Sequence, residues 1–306
     1  MDQRLAVFVA VVDHEGFSRA AGALHMTQPA VSQQVRSLER ELGVSLLERT
    51  NKFLHLTPAG EIVYEHARQI TELEARMRRY VSDLAQIASG PLALGASYTI
   101  GEYALPRILA TLRARYPLVT PSVTIANTQR IAELVAARQL DLGLVEGAVT
   151  LQGAHVERLF DDTLTVIAAP DHPLTHHSRL TPDALATETW IVRESGSGTR
   201  AVSDAFLAQH GLSVAPRLEL SSTQMIKEAV AEGMGVALLS RWATHRDVRM
   251  GALAELDVQG TPCARAFSAL TLRSRFQTKA LAVFLETLHE LAPRLTAALG
   301  SPGSRP

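Results

Sequence analysis

The sequence predicts a helical N-terminal region followed by an α/β region. Residues 4–88 have the apolar spacing of helices, with one short break between Thr50 and Thr57. After Ser89, Gly90 and Pro91, short apolar runs alternate with helical stretches, which is typical of parallel βαβ units. The chain has 306 residues, and at roughly 100–200 residues per domain this length predicts two or three domains.

The composition is that of an ordinary globular protein, with 46% hydrophobic residues, 20% charged residues and a formal net charge of −1. The net charge says little about binding partners, because a protein that is nearly neutral overall can still have a local basic surface. Cys263 is the single cysteine, which excludes an intrachain disulfide and a cysteine-based metal cluster. His172, His176 and His177 lack acidic or cysteine neighbours at ligand-like spacing, so we expect no metal.

No segment resembles an export or membrane signal. The apolar run at residues 5–12 is short, and Asp13, His14 and Glu15 follow it where a cleavage site would need small residues. Nothing approaches the ~20 apolar residues that a membrane span requires. We therefore expect a cytoplasmic protein without a membrane partner.

The α/β region contains a series of short predicted strands. They are Leu92–Ala96, Pro121–Ile125, Leu140–Val145, Leu164–Ala169, Thr189–Val192, Arg217–Leu220, Val236–Leu239 and Ala269–Arg273. Predicted helices lie between them at Tyr103–Tyr116 and Ile131–Ala137, and a last amphipathic helix runs from about Thr278 to Leu299.

The N-terminal region begins with three predicted helices. The first has its apolar stripe at Leu5, Phe8, Val9 and Val12 and stops at Gly16. Ser18 is positioned to cap the second helix. Thr27 is a good N-cap for the third, with Pro29 in its first turn, where a missing N–H does no harm. The third helix has its predicted inner face at Val31, Val35, Leu38 and Leu42.

The outer face of the third helix is polar and nearly uncharged at its start. It presents Gln28, Ala30, Ser32, Gln33 and Arg36. Glutamine can bond adenine through two hydrogen bonds, serine can bond either base edge, and an alanine methyl can contact thymine. This face therefore fits a DNA major groove. Periodicity alone does not separate this interpretation from a helical bundle with a solvated polar face.

The specific residues distinguish a DNA-binding domain from a helical bundle. The segments FSRAAGALHMTQPAVSQQV at residues 17–35, LE at 38–39, LG at 42–43, LLER at 46–49 and LTPAG at 56–60 closely resemble the DNA-binding domain of LysR-type transcriptional regulators. The match is gap-free. Leu47 departs from it, because the family usually has phenylalanine there, and this is a change in the core.

The resemblance implies a winged helix-turn-helix over residues 1–57. It implies base contacts from Gln28, Pro29, Ser32 and Gln33, with Arg36 on or near the DNA backbone. Residues 47–56 would form the wing, in which Arg49 and Lys52 face phosphates or a minor groove, with further bonds from His55 and Thr57. Ser18, Thr27 and Ala30 complete the expected DNA-binding set. Each basic residue has the alternative role of a solvated surface charge.

A long helix follows at residues 58–88. Its apolar residues alternate at intervals of three and four, the ~3.5-residue period of a coiled-coil seam, and they are Ile70, Leu73, Met77, Tyr80, Leu84 and Ile87. A helix packed on its own domain would usually show a wider apolar stripe. We therefore expect a homodimer through this linker helix, and the resemblance also implies a homotetramer.

The remaining chain resembles the effector domain of the same family. This implies a two-lobed, periplasmic-binding-protein-like (type 2) fold, with lobe one at 91–163 and 267–300 and lobe two at 164–266. In open α/β sheets, ligands bind beyond the carboxyl ends of the strands, here in the cleft between lobes. Strand ends place there Ser97, Tyr98, Thr99, Asn127, Thr128, Glu146, Glu194, Ser195, Ser197, Gly198, Thr199 and Arg200.

The loop at residues 193–200 is the most informative of these strand ends. Its glycines allow successive N–H groups to converge, and the helix that follows favours negative charge at its start. Its spacing fits neither a Walker P-loop nor a nucleophile elbow. A flexible Gly/Ser turn with a serine cap is the alternative. Similar loops occur in family members that sense small anions, so we expect a carboxylate, a phosphorylated metabolite or a sulfur oxyanion.

These observations predict a DNA-binding transcriptional regulator controlled by a small metabolite. The expected partners are double-stranded promoter DNA, further copies of the chain and RNA polymerase, and no cofactor is expected besides the effector. An enzyme or solute receptor on the same fold is the main alternative, but no Ser-His-Asp or Cys-His constellation is evident. A nucleoid protein without a ligand would not need so long an α/β region.

Overall fold

A computed structural model describes residues 3–49, 54–82, 88–149, 151–213, 217–273 and 277–297. The chain divides into two compact units, residues 1–85 and 86–306. Each unit has its own hydrophobic core, and each is considered by itself below.

The N-terminal unit contains helices α1 (Gln3–Asp13), α2 (Phe17–Ala23) and α3 (Gln28–Leu42). Its core confirms the inner face of α3 at Val31, Val35 and Leu38. Of the predicted stripe of α1, Phe8 is buried and Leu5 and Val12 pack half-buried against the core, while Val7 and Val11 are buried as well and were not predicted. Leu42 was wrongly assigned to the inner face of α3, because it is 45% exposed at the end of the helix.

The caps of α2 and α3 differ from each other. Helix α2 starts at Phe17 with Gly16 in the N-cap position, so Ser18 is not its cap as predicted. Thr27 does cap α3, because its hydroxyl accepts a hydrogen bond from the Ala30 N–H at 3.4 Å. The αL conformation of Gly43, at φ 71°, then ends α3.

The predicted break in the helices is a β-hairpin. Strands β1 (Leu47–Arg49) and β2 (Leu54–Leu56) pair antiparallel with Leu47 opposite Leu56. Leu47 is buried in the core, as expected for a substitution of one large apolar residue for another. The hairpin tip, residues 50–53 with Lys52, lies outside the described residues.

Helix α4 (Pro58–Ser82) follows the hairpin. Along the predicted seam, Ile70, Leu73 and Met77 are 50%, 62% and 45% exposed. The Tyr80 side chain, Leu84 and Ile87 lie outside the described part of the chain. The described seam is therefore apolar and uncovered within one copy of the chain.

The C-terminal unit is built on one large mixed sheet and a two-stranded sheet. Its first strands are β3 (Gly90–Ala96), β4 (Val119–Ile125) and β5 (Leu142–Glu146), and β3 pairs in parallel with both of the others. The chain passes from β3 through a π-helical turn (Ile100–Ala104) into α5 (Leu105–Arg115), and from β4 into α6 (Thr128–Ala136). These strand–helix–strand connections confirm the predicted βαβ pattern.

Two long antiparallel strands, β6 (Ala154–Ala168) and β11 (Cys263–Leu272), link two lobes. They pair along their length, from Cys263 opposite Leu164 to Leu272 opposite Ala154, with a bulge between Phe267 and Ser268. The prediction located only their apolar parts, Leu164–Ala169 and Ala269–Arg273. The rest carries charged residues and does not look like a buried strand in sequence.

The second lobe is built on the C-terminal part of β6. Strands β9 (Ala237–Ser240) and β10 (Ala254–Leu256) pair antiparallel with β6, and β7 (Trp190–Arg193) pairs in parallel with β8 (Arg217–Leu220). The helices are α7 (Gly198–Gln209), α8 (Thr223–Ala231) and α9 (Arg241–Arg249), and α10 (Lys279–Ala297) returns to the first lobe. Strand β10 was not predicted.

Each lobe has separate cores. Leu94, Ile108, Leu144 and Phe284 lie in the core of lobe one, whereas Trp190 and its neighbours fill the core of lobe two. The predicted lobe boundaries, 163/164 and 266/267, fall inside β6 and β11, which contribute to both lobes.

Gly60 provides a test of the N-terminal packing. A Cβ at this position would lie 2.0 Å from the Leu46 carbonyl oxygen, next to the hairpin, whereas a Cβ at Gly22 in α2 would have no neighbour within 4 Å. We expect Gly60→Ala to destabilise the N-terminal unit by about 1–3 kcal/mol or more. We expect Gly22→Ala to stabilise it by about 0.4–1 kcal/mol.

Calorimetric unfolding measures both changes. Trp190 and Trp242 are the two tryptophans and both belong to the C-terminal unit, so their fluorescence transition serves as an internal reference that neither variant should move. Equal stability of the two variants would contradict the close packing of Gly60.

Candidate functional site

The start of α3 presents the predicted DNA-contacting residues on one concave surface. Gln28, Pro29, Gln33 and Arg36 are exposed, and Ser32 is half-buried beside them. With the turn after α3, they line a depression of about 1,030 Å³. Ala30 is half-buried, and Thr27 is exposed but already uses its hydroxyl as the cap.

The remaining predicted DNA contacts are less well placed. Ser18 is exposed on α2, and His55 is exposed on β2. Thr57 has two bonds within the unit, because its hydroxyl donates to the Ser45 carbonyl at 2.7 Å and accepts from the Gly60 N–H at 2.9 Å. Thr57 therefore caps α4. The side chain of Arg49, like Lys52, lies outside the described residues.

In the C-terminal unit, several predicted ligand residues converge on the carboxylate of Glu146 at the end of β5. Ser97 donates to it at 3.0 Å and Thr99 at 3.3 Å, both from the turn after β3. Thr199, at the start of α7 in lobe two, donates at 3.4 Å. Thr128 donates to the Glu146 carbonyl at 3.1 Å. All are buried, so the strand ends meet as predicted, but their polar groups bond mainly one another.

Arg265 on β11 completes this cluster and was missed in the sequence. Its Nε donates to Asp162 at 2.7 Å, Nη1 to the Thr199 hydroxyl at 2.9 Å and Nη2 to the Thr99 hydroxyl at 3.0 Å. Nη1 also lies 3.5 Å from a Glu146 oxygen. Arg265 was missed because it lies in the charged part of a strand that the apolar pattern did not reveal.

Burial dominates the electrostatics of Asp162. It raises the pKa of this carboxyl, although Arg265 and the Ser240 hydroxyl, which donates at 2.7 Å, act in the opposite direction. Burial alone would lower the pKa of Arg265, but Glu146 and Asp162 raise it above its usual value. The guanidinium therefore stays charged.

Tyr98 and Glu194 contact a second arginine, Arg193, at the end of β7. The buried Arg193 guanidinium lies 4.5 Å from the centre of the Tyr98 ring and donates to both Glu194 oxygens, at 2.7 and 2.8 Å. It also donates to the Thr223 hydroxyl at 3.1 Å. Arg193 directly follows a predicted strand, so its position in the sequence was a usable signal.

The loop before α7 is closed against lobe one. Asn127 donates to the Ser195 carbonyl at 3.4 Å, and the Gln129 N–H donates to the Gly196 carbonyl at 3.1 Å. Gly196 has φ +84°, and a Cβ on Gly198 would lie 2.1 Å from the Glu146 carbonyl oxygen. Both glycines are therefore required by the contact between the lobes.

This loop also borders an open pocket of about 470 Å³. Among the predicted ligand residues, those lining it are Thr128, Ser195, Ser197, Gly198 and Arg200. The Ser197 hydroxyl is buried and has no hydrogen-bond partner. Arg200 is not free for an anion, because it donates to Asp204 and Glu219, each at 2.8 Å.

Among the described residues, no group of three or more His, Cys, Asp or Glu side chains is arranged to hold a metal ion. His172 has a local role instead, accepting from the Leu174 N–H at 3.3 Å and lying 3.3 Å from Glu188. None of the described helices has the length and apolar character needed to cross a membrane.

The buried cluster yields a stability prediction. In Arg265→Ala, the two carboxylates Glu146 and Asp162 lose their guanidinium, and we expect a loss of about 3–5 kcal/mol. Arg158→Ala removes an exposed ion pair with Asp161 on β6, and we expect a loss of at most about 1 kcal/mol. Urea unfolding followed by tryptophan fluorescence measures both, and similar losses would contradict the central role of Arg265.

Comparison with known proteins is consistent with this geometry. Residues 3–61 match the bacterial regulatory helix-turn-helix protein, lysR family, and residues 85–293 match the LysR substrate binding domain. The chain is 34% identical to the HTH-type transcriptional regulator CysL of Bacillus subtilis (strain 168), over 93% of this chain and 95% of that protein.

Two solved structures share the fold. The regulatory domain of CcmR from Synechocystis PCC6803 in complex with 2-PG is 30% identical, with a TM-score of 0.63, over 67% of this chain and 98% of that one. Full-length CbnR, solved in complex with its target DNA, is 22% identical, with a TM-score of 0.71, over 95% of this chain and 99% of that one. The relatives are transcriptional regulators, which confirms the expectation that the chain is not an enzyme. The chain belongs to the LysR family of transcriptional regulators.

Proposed function

We propose that this LysR-family regulator binds promoter DNA through α3 and the wing, and that a small anion between its effector lobes controls the binding. The observation that carries the proposal is the exposed, polar and nearly uncharged start of α3, supported at its base by a buried apolar face. Such a surface fits the donor and acceptor pattern of a major groove.

The proposed DNA contacts divide by chemistry. Gln28, Pro29, Ser32 and Gln33 face base edges, and Ala30 meets a thymine methyl. Arg36, with Arg49 and Lys52 of the wing, neutralises phosphates. Ser18 and Thr27, both exposed, complete the proposed set as polar contacts to the DNA.

A homodimer places two such surfaces on one operator. The uncovered seam of α4, with Ile70, Leu73 and Met77 exposed, supports pairing of two linker helices. Two winged helices then contact two half-sites of a roughly palindromic operator. Further exposed apolar side chains on edge strand β4 and helix α8 support a tetramer, namely Val123, Ile125 and Met225.

We propose the same division of the chain as the sequence predicts: a DNA-binding domain at residues 1–57, a linker helix at 58–88, lobe one at 91–163 with 267–300, and lobe two at 164–266. The described part of the linker helix is Pro58–Ser82, and both lobe boundaries fall within strands that the lobes share. Regulation of this kind also requires RNA polymerase as a partner and a location in the cytoplasm, where the promoter is.

For the effector, we propose a carboxylate, a phosphorylated metabolite or a sulfur oxyanion. The buried hydroxyls of Ser97, Thr99 and Thr199 supply donors beside Arg265. The unpartnered hydroxyl of Ser197 borders an open pocket together with Thr128. The anion 2-PG in the related CcmR domain supports the same class of ligand. Tyr98, Asn127, Glu146, Glu194, Ser195, Gly198 and Arg200 frame the site.

The donors come from both lobes, so ligand binding can change the angle between them. Only a ligand that binds one lobe arrangement better than another shifts the equilibrium, by as much as that difference. A changed lobe angle alters how the dimers pair, and with it the spacing or bend of the bound DNA.

The DNA proposal is tested by footprinting upstream of the protein's own gene and its neighbours, and then by titration of the protected duplex. We expect Gln33→Ala to lose about 1–3 kcal/mol on the operator and little on a scrambled duplex. We expect Arg36→Ala to weaken both and to reduce the salt slope by about 1. Arg113→Ala, an exposed arginine in the other unit, is the control. Absence of any footprint at low salt would refute the proposal.

The effector proposal is tested by the thermal shift of the full chain with 2-phosphoglycolate, phosphate, sulfite and short dicarboxylates. We expect at least one anion to raise the melting temperature, because a ligand that binds only the folded state stabilises it. Ser197→Ala should reduce the shift, whereas Ser178→Ala, an exposed turn residue, should not. If the whole panel fails to shift the wild-type protein, the anionic effector class is wrong.

A further inference from the structure

The carboxylate of Glu146 lies in an enclosure of donors. Ser97 and Thr99 donate at 3.0 and 3.3 Å, Thr199 at 3.4 Å, and Arg265 lies at 3.5 Å. Glu146 is only 1% exposed. Three hydroxyls and one guanidinium are the donors that proteins commonly use to bind a carboxylate or phosphate ligand. Here an internal side chain occupies them.

The orientation of two of these hydroxyls follows from Arg265. Its Nη1 and Nη2 donate to Thr199 and Thr99 at 2.9 and 3.0 Å. A guanidinium has no acceptor, so each threonine oxygen must accept this bond and direct its own hydrogen elsewhere. The nearest acceptor for both is Glu146. Arg265 therefore keeps the hydrogens of Thr99 and Thr199 available for an acceptor.

The donors join the two lobes. Ser97, Thr99 and Glu146 belong to lobe one, Thr199 opens α7 in lobe two, and Arg265 lies on the strand that passes between them. The side chain of Glu146 thus holds Thr199 of the opposite lobe. In this arrangement Glu146 does what a bound effector would do.

The charge of the cluster disfavours adding a further anion beside Glu146. One guanidinium faces two carboxylates, with Asp162 at 2.7 Å from Nε and Glu146 at 3.5 Å from Nη1. A third negative group in this buried space would be repelled. An anion that uses these donors must therefore replace Glu146.

We propose that Glu146 is an internal competitor of the effector, whose oxyanion group exchanges with the Glu146 carboxylate in the same set of donors. The inference rests on the proposed anionic effector and deepens it. It requires that the effector carry a group the size of a carboxylate, phosphate or sulfur oxyanion. Glu146 then sets the concentration at which the regulator responds, because the apparent dissociation constant rises as the fraction of open sites falls.

Glu146→Gln in the full-length protein tests the exchange. The variant keeps the shape of the side chain and removes its charge, and Arg265 keeps Asp162 as a carboxylate partner. Isothermal titration with inorganic phosphate and with 2-phosphoglycolate should show binding at least ~10-fold tighter than in the wild type, since the competing anion is gone. Asp161→Asn removes one negative charge at an exposed position on the same strand as Asp162, and its affinity should stay within about twofold of wild type.

The outcomes separate this inference from the proposed effector class. If the wild type binds an anion and Glu146→Gln binds it equally well or more weakly, the competitor role is overturned and the effector class stays intact. Binding in Glu146→Gln without binding in the wild type would be the strongest support for the competitor role. Absence of binding in both proteins would overturn the anionic effector and the competitor together.

A second variant covers a possible folding defect of the first. Glu146→Asp keeps the charge but shortens the side chain by one methylene, so its carboxylate no longer reaches all the donors that Glu146 contacts. It should also bind phosphate more tightly than the wild type. Tighter binding in neither variant, with tryptophan fluorescence showing both to be folded, would refute the exchange.

Discussion

The ion cluster of Arg265, Asp162 and Glu146 is the interaction on which the effector unit depends. It lies where β6 and β11 pass from one lobe to the other, and Glu146 at the end of β5 contributes the second carboxylate. A buried charge is tolerated only when it is paired and hydrogen-bonded, so removing one partner would leave an uncompensated charge at the crossing point. Thr99 and Thr199 are tied to the same cluster because both accept hydrogen bonds from Arg265.

This cluster explains why the predicted effector residues fall into two groups. Ser97, Thr99 and Thr199 are buried and bond to the ion cluster, whereas exposed Ser195 and buried Ser197 line the open pocket. The two groups meet at Gly198, whose backbone touches that of Glu146. Gly198 is therefore the residue at which the two groups are adjacent, and a side chain there would collide with the Glu146 backbone.

The sequence predicted the parts of this protein that follow local rules. The caps and apolar spacing of α3, the strand ends that meet at the cleft and the seam of α4 all depend on nearby residues. The predicted cap at Ser18 was wrong because α2 begins one residue earlier, at Phe17, with Gly16 in the N-cap position. Arg265 and the charged half of β6 could not be found this way, because a charged strand becomes stable only through a partner distant in sequence. The family pattern supplied the wing, which periodicity did not predict.

The bulge between Phe267 and Ser268 has a geometric consequence. Phe267 pairs with Phe160 and Ser268 with Arg158, so the extra residue is Leu159 in β6. A bulge bends the strand that carries it and increases the local twist. The two long strands are therefore not a uniform ribbon. At the same level β11 pairs with β5, with Phe267 opposite Glu146, so β11 stays within the sheet of lobe one and the bend belongs to β6. Strand β6 then continues to β9 and β10, so a single extra residue at Leu159 helps to set the direction in which β6 enters the second lobe.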